Sequence, residues 1–372
     1  MNITVVGGGN LGSLLSAKLS LKKDVFVTLL TSNPSNFSGY IEVIDEEKRT
    51  HFRSNKIFIT NDYVAALCNA DIVLCTLPSF LREDFIKKSS VYAKVGSLFG
   101  FVPGYGGVEF MVGELSKKGV VVFGLSRVPY ICRLNKYGKS VTCLSEKKEL
   151  FLGAIPKQSA TYVADTVERL LDIKTTELSG YLAVTLTPSN PILHTTRVYS
   201  LFKDYPENIN HAPLFYGDWT DYASDMLIKC DVELQNIWRK LSSCLDLNLG
   251  DVPPTLKHYE VSDGTSLTKK IQSIASFKNI KSPMIKQNSG YAPDTASRYF
   301  TEDFPFGLAI IKGIGLLANI RTDNIDTVLN WYSVLSDEHY FNDKLIGKDI
   351  SKCGAPQKYG LNCLEDLVDI YK

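Results

Sequence analysis

The chain opens on a run of β-branched residues, Asn2 to Val6, and leucines at 11, 14, 15 and 19 then recur at helical spacing. Four more short apolar runs follow: Val25 to Leu30, Asp71 to Leu77, Val95 to Phe99 and Val120 to Gly124. Short continuous runs bounded by glycine, proline or polar residues predict strands buried on both faces, as in a parallel sheet. Val128 to Arg133 and Ser140 to Leu144 read as strands after this set, a β-ribbon at its edge, and Lys148 to Pro156 continues the alternation. Ala160 to Leu171 predicts an amphipathic helix, and a strand near Thr175 to Leu178 closes the first domain. Beyond residue 181 the period turns helical. Helices are predicted at Leu182 to Leu186, from Asn190-Pro191, over Trp219 to Leu245 and Ser262 to Ile274, from Pro305 through Leu317, over Thr322 to Leu335 and at Cys363 to Tyr371. Lys278 to Arg298 reads as a polar loop. The expected architecture is α/β then α: a parallel-sheet domain over residues 1–180 and an all-helical domain over 181–372.

Composition narrows the classes without changing that picture. A chain of 372 residues has room for two cores. Its formal net charge of +1 gives no electrostatic case for a nucleic-acid partner. Eight cysteines include no CxxC pair, so reduced buried thiols are expected, with no metal site. Met1 leads straight into a strand without a basic leader, and no apolar run reaches membrane-spanning length. The expectation is a cytoplasmic protein with no membrane partner. An apolar C-terminal helix packs either on its own domain or on a second subunit, so a homodimer is one outcome.

The glycines between the first strand and helix carry the first chemistry. Gly7-Gly8-Gly9-Asn10-Leu11-Gly12 fits GxGxxG, in the strand–turn–helix context that gives the motif its meaning. Gly7 permits the tight turn, Gly9 lets backbone approach a pyrophosphate, Gly12 allows close helix–strand packing, and Asn10 and Leu11 open the helix on which the phosphates sit. At the end of the second strand Thr31, Ser32 and Asn33 stand where an NAD-specific protein usually carries an acid. NADP(H) is therefore favoured over NAD(H). Pro78 lies at a strand C-terminus, the sheet edge that binds ligands. Glycines 100, 104, 106 and 107 form either a turn or a backbone approach to the nicotinamide.

A reducible C=O or C=N needs a proton donor beside the hydride source. Of five histidines, His194 sits in the first turn of a helix that Asn190 caps and Pro191 opens, with Arg197 three residues on along the same face. A lone histidine there could equally be a packed imidazole. Asp303, at a second helix start among aromatic residues, is its candidate partner, or simply an acid favoured by the helix dipole. Arg197 suits a substrate carboxylate, or a surface ion pair.

Asn190-Pro191-Ile192-Leu193-His194, followed by Thr301-Glu302-Asp303-Phe304-Pro305-Phe306-Gly307-Leu308, resembles the octopine/nopaline (opine) dehydrogenase family. Pro129 to Arg133, Phe215-Tyr216 and Gly360-Leu361 extend the likeness along nearly the whole chain. The resemblance implies a Rossmann domain followed by a helical one, an active site in the cleft, and His194 and Asp303 as the catalytic pair. It also implies a reaction: an amino acid and a 2-oxo acid condense to an imine, which NAD(P)H reduces. Two rivals remain open. A ketopantoate-reductase-like hydroxy-acid dehydrogenase would reduce C=O without an amine, and a non-catalytic NADP(H)-sensing protein would bind the dinucleotide without turnover.

Overall fold

In the computed structural model, which describes residues 1–204, 210–287, 290–342 and 345–371, the apolar runs of the first half pair into one eight-stranded sheet. The strands of this half are β1 (Asn2–Val6), β2 (Phe26–Leu30), β3 (Glu42–Asp45), β4 (Thr50–Arg53), β5 (Phe58–Thr60), β6 (Ile72–Cys75), β7 (Leu98–Phe101), β8 (Val121–Leu125), β9 (Tyr130–Lys136), β10 (Ser140–Glu146), β11 (Glu149–Ile155) and β12 (Lys174–Glu177). The order across the sheet is β12-β11-β8-β7-β6-β1-β2-β5. Neighbours run parallel throughout except β11 against β8. The helices are α1 (Asn10–Ser20), α2 (Tyr63–Leu67), α3 (Ser79–Tyr92), α4 (Gly113–Lys117), α5 (Ala160–Leu171) and α6 (Tyr181–Thr185). Strand order reverses at β1, which pairs with β2 on one side and β6 on the other. Such a switch point is where open α/β sheets hold their ligands.

Three details differ from the sequence reading. The 148–156 segment does not extend a ribbon; as β11 it joins the main sheet antiparallel. The β9–β10 hairpin instead builds a second sheet, β4-β3-β10-β9, with strands the sequence did not reveal. In β3 and β4 the buried positions are few and most residues are exposed, so no continuous apolar run marks them. The expected strand at Val95 begins at Leu98, because Lys94 to Ser97 turns, with Gly96 at φ 76° and Ser97 N–H bonded to the Lys94 carbonyl.

The chain divides into two compact units, Met1–Thr185 together with Tyr371, and Leu186–Ile370. The remaining helices are α7 (Asn190–Phe202), α8 (Asp221–Leu245), α9 (Thr255–His258), α10 (Gly264–Ser273), α11 (Arg298–Thr301), α12 (Ala309–Leu317), α13 (Asp323–Ser336) and α14 (Leu364–Tyr371). Two short hairpins, β13–β14 (Met284–Gln287, Gly290–Pro293) and β15–β16 (Phe341–Asn342, Leu345–Ile346), are added to this helical set. The first hairpin lies inside the stretch read as a polar loop. Helix α8 organises the unit. Its buried Asp231 accepts the Thr255 N–H at 2.7 Å, and its buried Glu233 accepts those of Asn324 and Ile325 at 2.8 and 3.0 Å. Each acid satisfies orphan donors in the first turn of another helix, which offsets the burial that pushes both carboxyls up. Among the described residues, no helix is long and apolar enough to cross a membrane.

Candidate active site

The glycine turn of the first unit has the geometry of a dinucleotide cradle. Gly7 adopts φ 101°, which favours glycine, and its N–H bonds the Leu30 carbonyl of β2. A Cβ on Gly12 would lie 1.8 Å from the Gly7 carbonyl oxygen, so only glycine lets α1 start so close to the turn. A Cβ on Gly9, the N-cap of α1, would meet nothing within 4 Å. The first turn carries no acid. Open space in front of helix N–H groups is what a pyrophosphate requires, so the residues present fit a dinucleotide.

The other residues that the sequence assigns to the cofactor have different surroundings. The Asn10 side chain is taken by the second sheet, its Oδ1 accepting the Leu134 N–H at 2.8 Å, so only its backbone faces the turn's chemistry. Leu11 packs against the core. Thr31 is buried, its hydroxyl beneath Gly8, whereas Ser32 is exposed. Pro78 caps α3 three residues beyond β6. Gly100 and Gly104 serve packing: a Cβ would strike the Phe123 ring at 2.2 Å and the Gly124 Cα at 2.5 Å.

The second unit brings His194 and Asp303 together across 109 residues. Helix α7 begins at Asn190 with Ser189 as its cap, one residue earlier than the sequence suggested, because the Ser189 carbonyl accepts the Ile192 and Leu193 N–H groups. His194 therefore lies at the start of the second turn of α7 rather than in its first, with its side chain 12% exposed. Opposite it, the chain makes a wide turn over Phe304–Leu308, in which the Leu308 N–H reaches back to the Asp303 carbonyl at 2.9 Å. A Cβ on Gly307 would sit 2.9 Å from the Pro191 side chain, so this glycine lets the turn close on the start of α7. The result is a hydrogen bond of 2.8 Å between His194 Nδ1 and Asp303 Oδ2.

Burial pushes the Asp303 carboxyl above its ordinary value, while the charge and hydrogen bond of His194 pull it down. An ionised carboxylate only accepts, so Nδ1 carries the proton and Nε2 is the nitrogen that exchanges one. Nε2 lies 2.7 Å from the Tyr216 hydroxyl. The ring is flanked by Tyr299 and Phe215, with centroids at 4.8 and 5.5 Å.

Arg197 does not stand ready for a substrate. It is 1% exposed; its Nε donates to the Phe215 carbonyl at 2.6 Å, and its Nη2 to those of Asp218 and Leu214 at 2.7 and 3.2 Å. It also lies over the Trp219 ring. The expected carboxylate clamp is thus a structural clamp on the 214–219 loop. The sequence reading gave no role to Tyr216, Tyr299 or Arg298. Tyr216 was marked only as part of the family-like pair Phe215-Tyr216, and the relation of all three to His194 exists only through the fold. Arg298 bonds Glu302 at 2.6 Å, its side chain is 65% exposed, and its charge lowers the Asp303 carboxyl's affinity for protons. Among the described residues, no group of three or more histidines, cysteines or acids could hold a metal ion.

Comparison with known proteins bears on this arrangement. Residues 177–336 match the family model described as NAD/NADP octopine/nopaline dehydrogenase, alpha-helical domain. The chain is 28% identical to the tauropine dehydrogenase of Arabella iricolor, over 98% of this chain and 99% of that one. It is 26% identical to the octopine dehydrogenase of Mizuhopecten yessoensis, over 99% and 98%. A solved octopine dehydrogenase with NADH and L-arginine superposes with a TM-score of 0.88 at 25% identity, covering 100% of this chain and 98% of that one.

Proposed function

We propose that the chain is a member of the octopine/nopaline dehydrogenase family, and that it joins the amine of an amino acid to the carbonyl of a 2-oxo acid and reduces the resulting imine, as an NAD(P)H-dependent opine dehydrogenase. The observation that carries the reading is the 2.8 Å bond between His194 and Asp303, a buried carboxylate fixing the tautomer of a partly exposed imidazole. A dinucleotide held at the Gly7–Gly12 turn would supply the hydride. His194, protonated, is the source of the proton that the carbonyl oxygen needs to leave as water, and Asp303 holds the ring and stabilises its charged form. With Arg197 committed to carbonyls, the exposed guanidinium of Arg298 is the group we assign to a substrate carboxylate, for which its planar fork is suited.

The same reading extends to cofactor choice. No acid stands at the end of β2 to take a ribose 2′-hydroxyl, and the exposed Ser32 offers a hydroxyl there, which supports NADPH over NADH. The product tests the reaction. Mass spectrometry of a completed mixture should find a species whose mass is that of both substrates together less one oxygen atom. A simple hydroxy acid as the only product would transfer the chain to the ketopantoate-reductase-like reading.

A further inference from the structure

Both nitrogens of the His194 ring are engaged, and the group on the outer one is held more firmly than a bystander would be. Nδ1 is on Asp303 and Nε2 is on the Tyr216 hydroxyl. The Tyr216 ring is stacked on Phe277 with centroids 4.2 Å apart and planes at 17°, and lies near-parallel to Trp219 at 6.2 Å. The residue is 4% exposed. Its backbone is pinned as well. Arg197 grips the carbonyls on both sides of it, the Phe215 N–H bonds the Ile280 carbonyl at 2.7 Å, and the Leu214 N–H bonds the Asp218 carboxylate at 2.7 Å. A ring sandwiched in this way does not swing aside to bare Nε2 without breaking several contacts at once.

We propose that Tyr216 is a catalytic residue, the last carrier in an Asp303–His194–Tyr216 proton relay, with its hydroxyl rather than the imidazole meeting the substrate oxygen. This rests on the opine-dehydrogenase reading. In the step assigned to it, the C–O bond of the amine–oxo-acid adduct breaks as the nitrogen lone pair forms C=N. The Tyr216 O–H proton goes to the departing hydroxyl, which leaves as water. The phenolate takes the Nε2 proton of the imidazolium, so His194 ends neutral and the positive charge ends on the iminium. Nothing is oxidised or reduced until hydride arrives.

Tyr216→Phe keeps the stacked ring and removes only the hydroxyl. The expected result is a fall in kcat on the order of a hundredfold or more, with dinucleotide affinity unchanged. Wild-type protein in the same assay separates the relay from the reaction it serves. An active wild type beside an equally active Tyr216→Phe would overturn the relay alone; a wild type with no two-substrate activity would overturn the reading beneath it. Should Tyr216→Phe fold poorly, a fluorinated tyrosine at 216 keeps the ring and the hydroxyl while making the phenol more acidic. A relay makes kcat respond to that acidity, and an unchanged kcat would overturn the proposal.

Discussion

His194 and Arg197 occupy neighbouring positions on one helix face, yet burial gives them different work. His194 keeps a partly exposed edge, while Arg197 is enclosed and bonded to three carbonyls, and burial pushes its guanidinium down to about 10. His194→Asn should therefore lower kcat by roughly 10²- to 10⁴-fold and leave dinucleotide binding intact, as fluorescence titration with NADPH would read. Unchanged turnover would remove it from the chemistry. Arg197→Met should act on stability instead, costing about 3 kcal/mol or more in a denaturant titration, because buried carbonyls lose their charged donor. A variant of wild-type stability with a raised KM for one carboxylate substrate would restore the clamp that the sequence suggested. The motif residues were legible because helix starts and spacing are local. Tyr216 stood in a family-like pair, but its role was not legible, since its hydroxyl reaches His194 only through the arginine-held loop and the aromatic stack.

The glycine turn and the Phe304–Leu308 turn are the two elements that set the chemistry in place. In the first, Gly9 and Gly12 separate ligand space from packing space. Gly9→Ala should leave the fold's melting temperature nearly unchanged and weaken dinucleotide binding, since the new methyl meets only the space a pyrophosphate would use. Gly12→Ala should lower both, because its methyl would overlap the Gly7 carbonyl. Equal melting temperatures for the two variants would contradict that division. Sequence period revealed β1, β2, β6, β8 and α5 because each is a run of one pattern. It missed β3 and β4, whose exposed positions resemble a loop, and it could not foretell that β11 would reverse direction, which depends on which edge remains unpaired. The wide turn at Phe304 was read as a plain helix start, since Pro305 signals a beginning but not the extra residue the turn contains.

At the scale of the whole molecule, stability responds to pH through a buried acid. Glu109, buried in the first unit, accepts from the Thr185 and Tyr371 hydroxyls through Oε1, while Oε2 has no partner among the described residues. Burial raises its carboxyl to about 7, with those hydroxyls opposing. The folded chain thus keeps a proton that the unfolded chain has lost between the ordinary carboxylate range and about 7. Stability should fall as pH rises through that window, by up to about 3 kcal/mol from this group. Glu109→Gln should flatten the melting-temperature profile there, and a profile as steep as wild type would exclude Glu109 as the cause. The central claim is a reaction needing two substrates, and it is tested most directly by initial rates of NADPH and NADH oxidation across amino acids crossed with 2-oxo acids, with each partner omitted in turn. The account predicts oxidation only when an amine and an oxo acid are both present, faster with NADPH. Oxidation that proceeds equally with the oxo acid alone would contradict it.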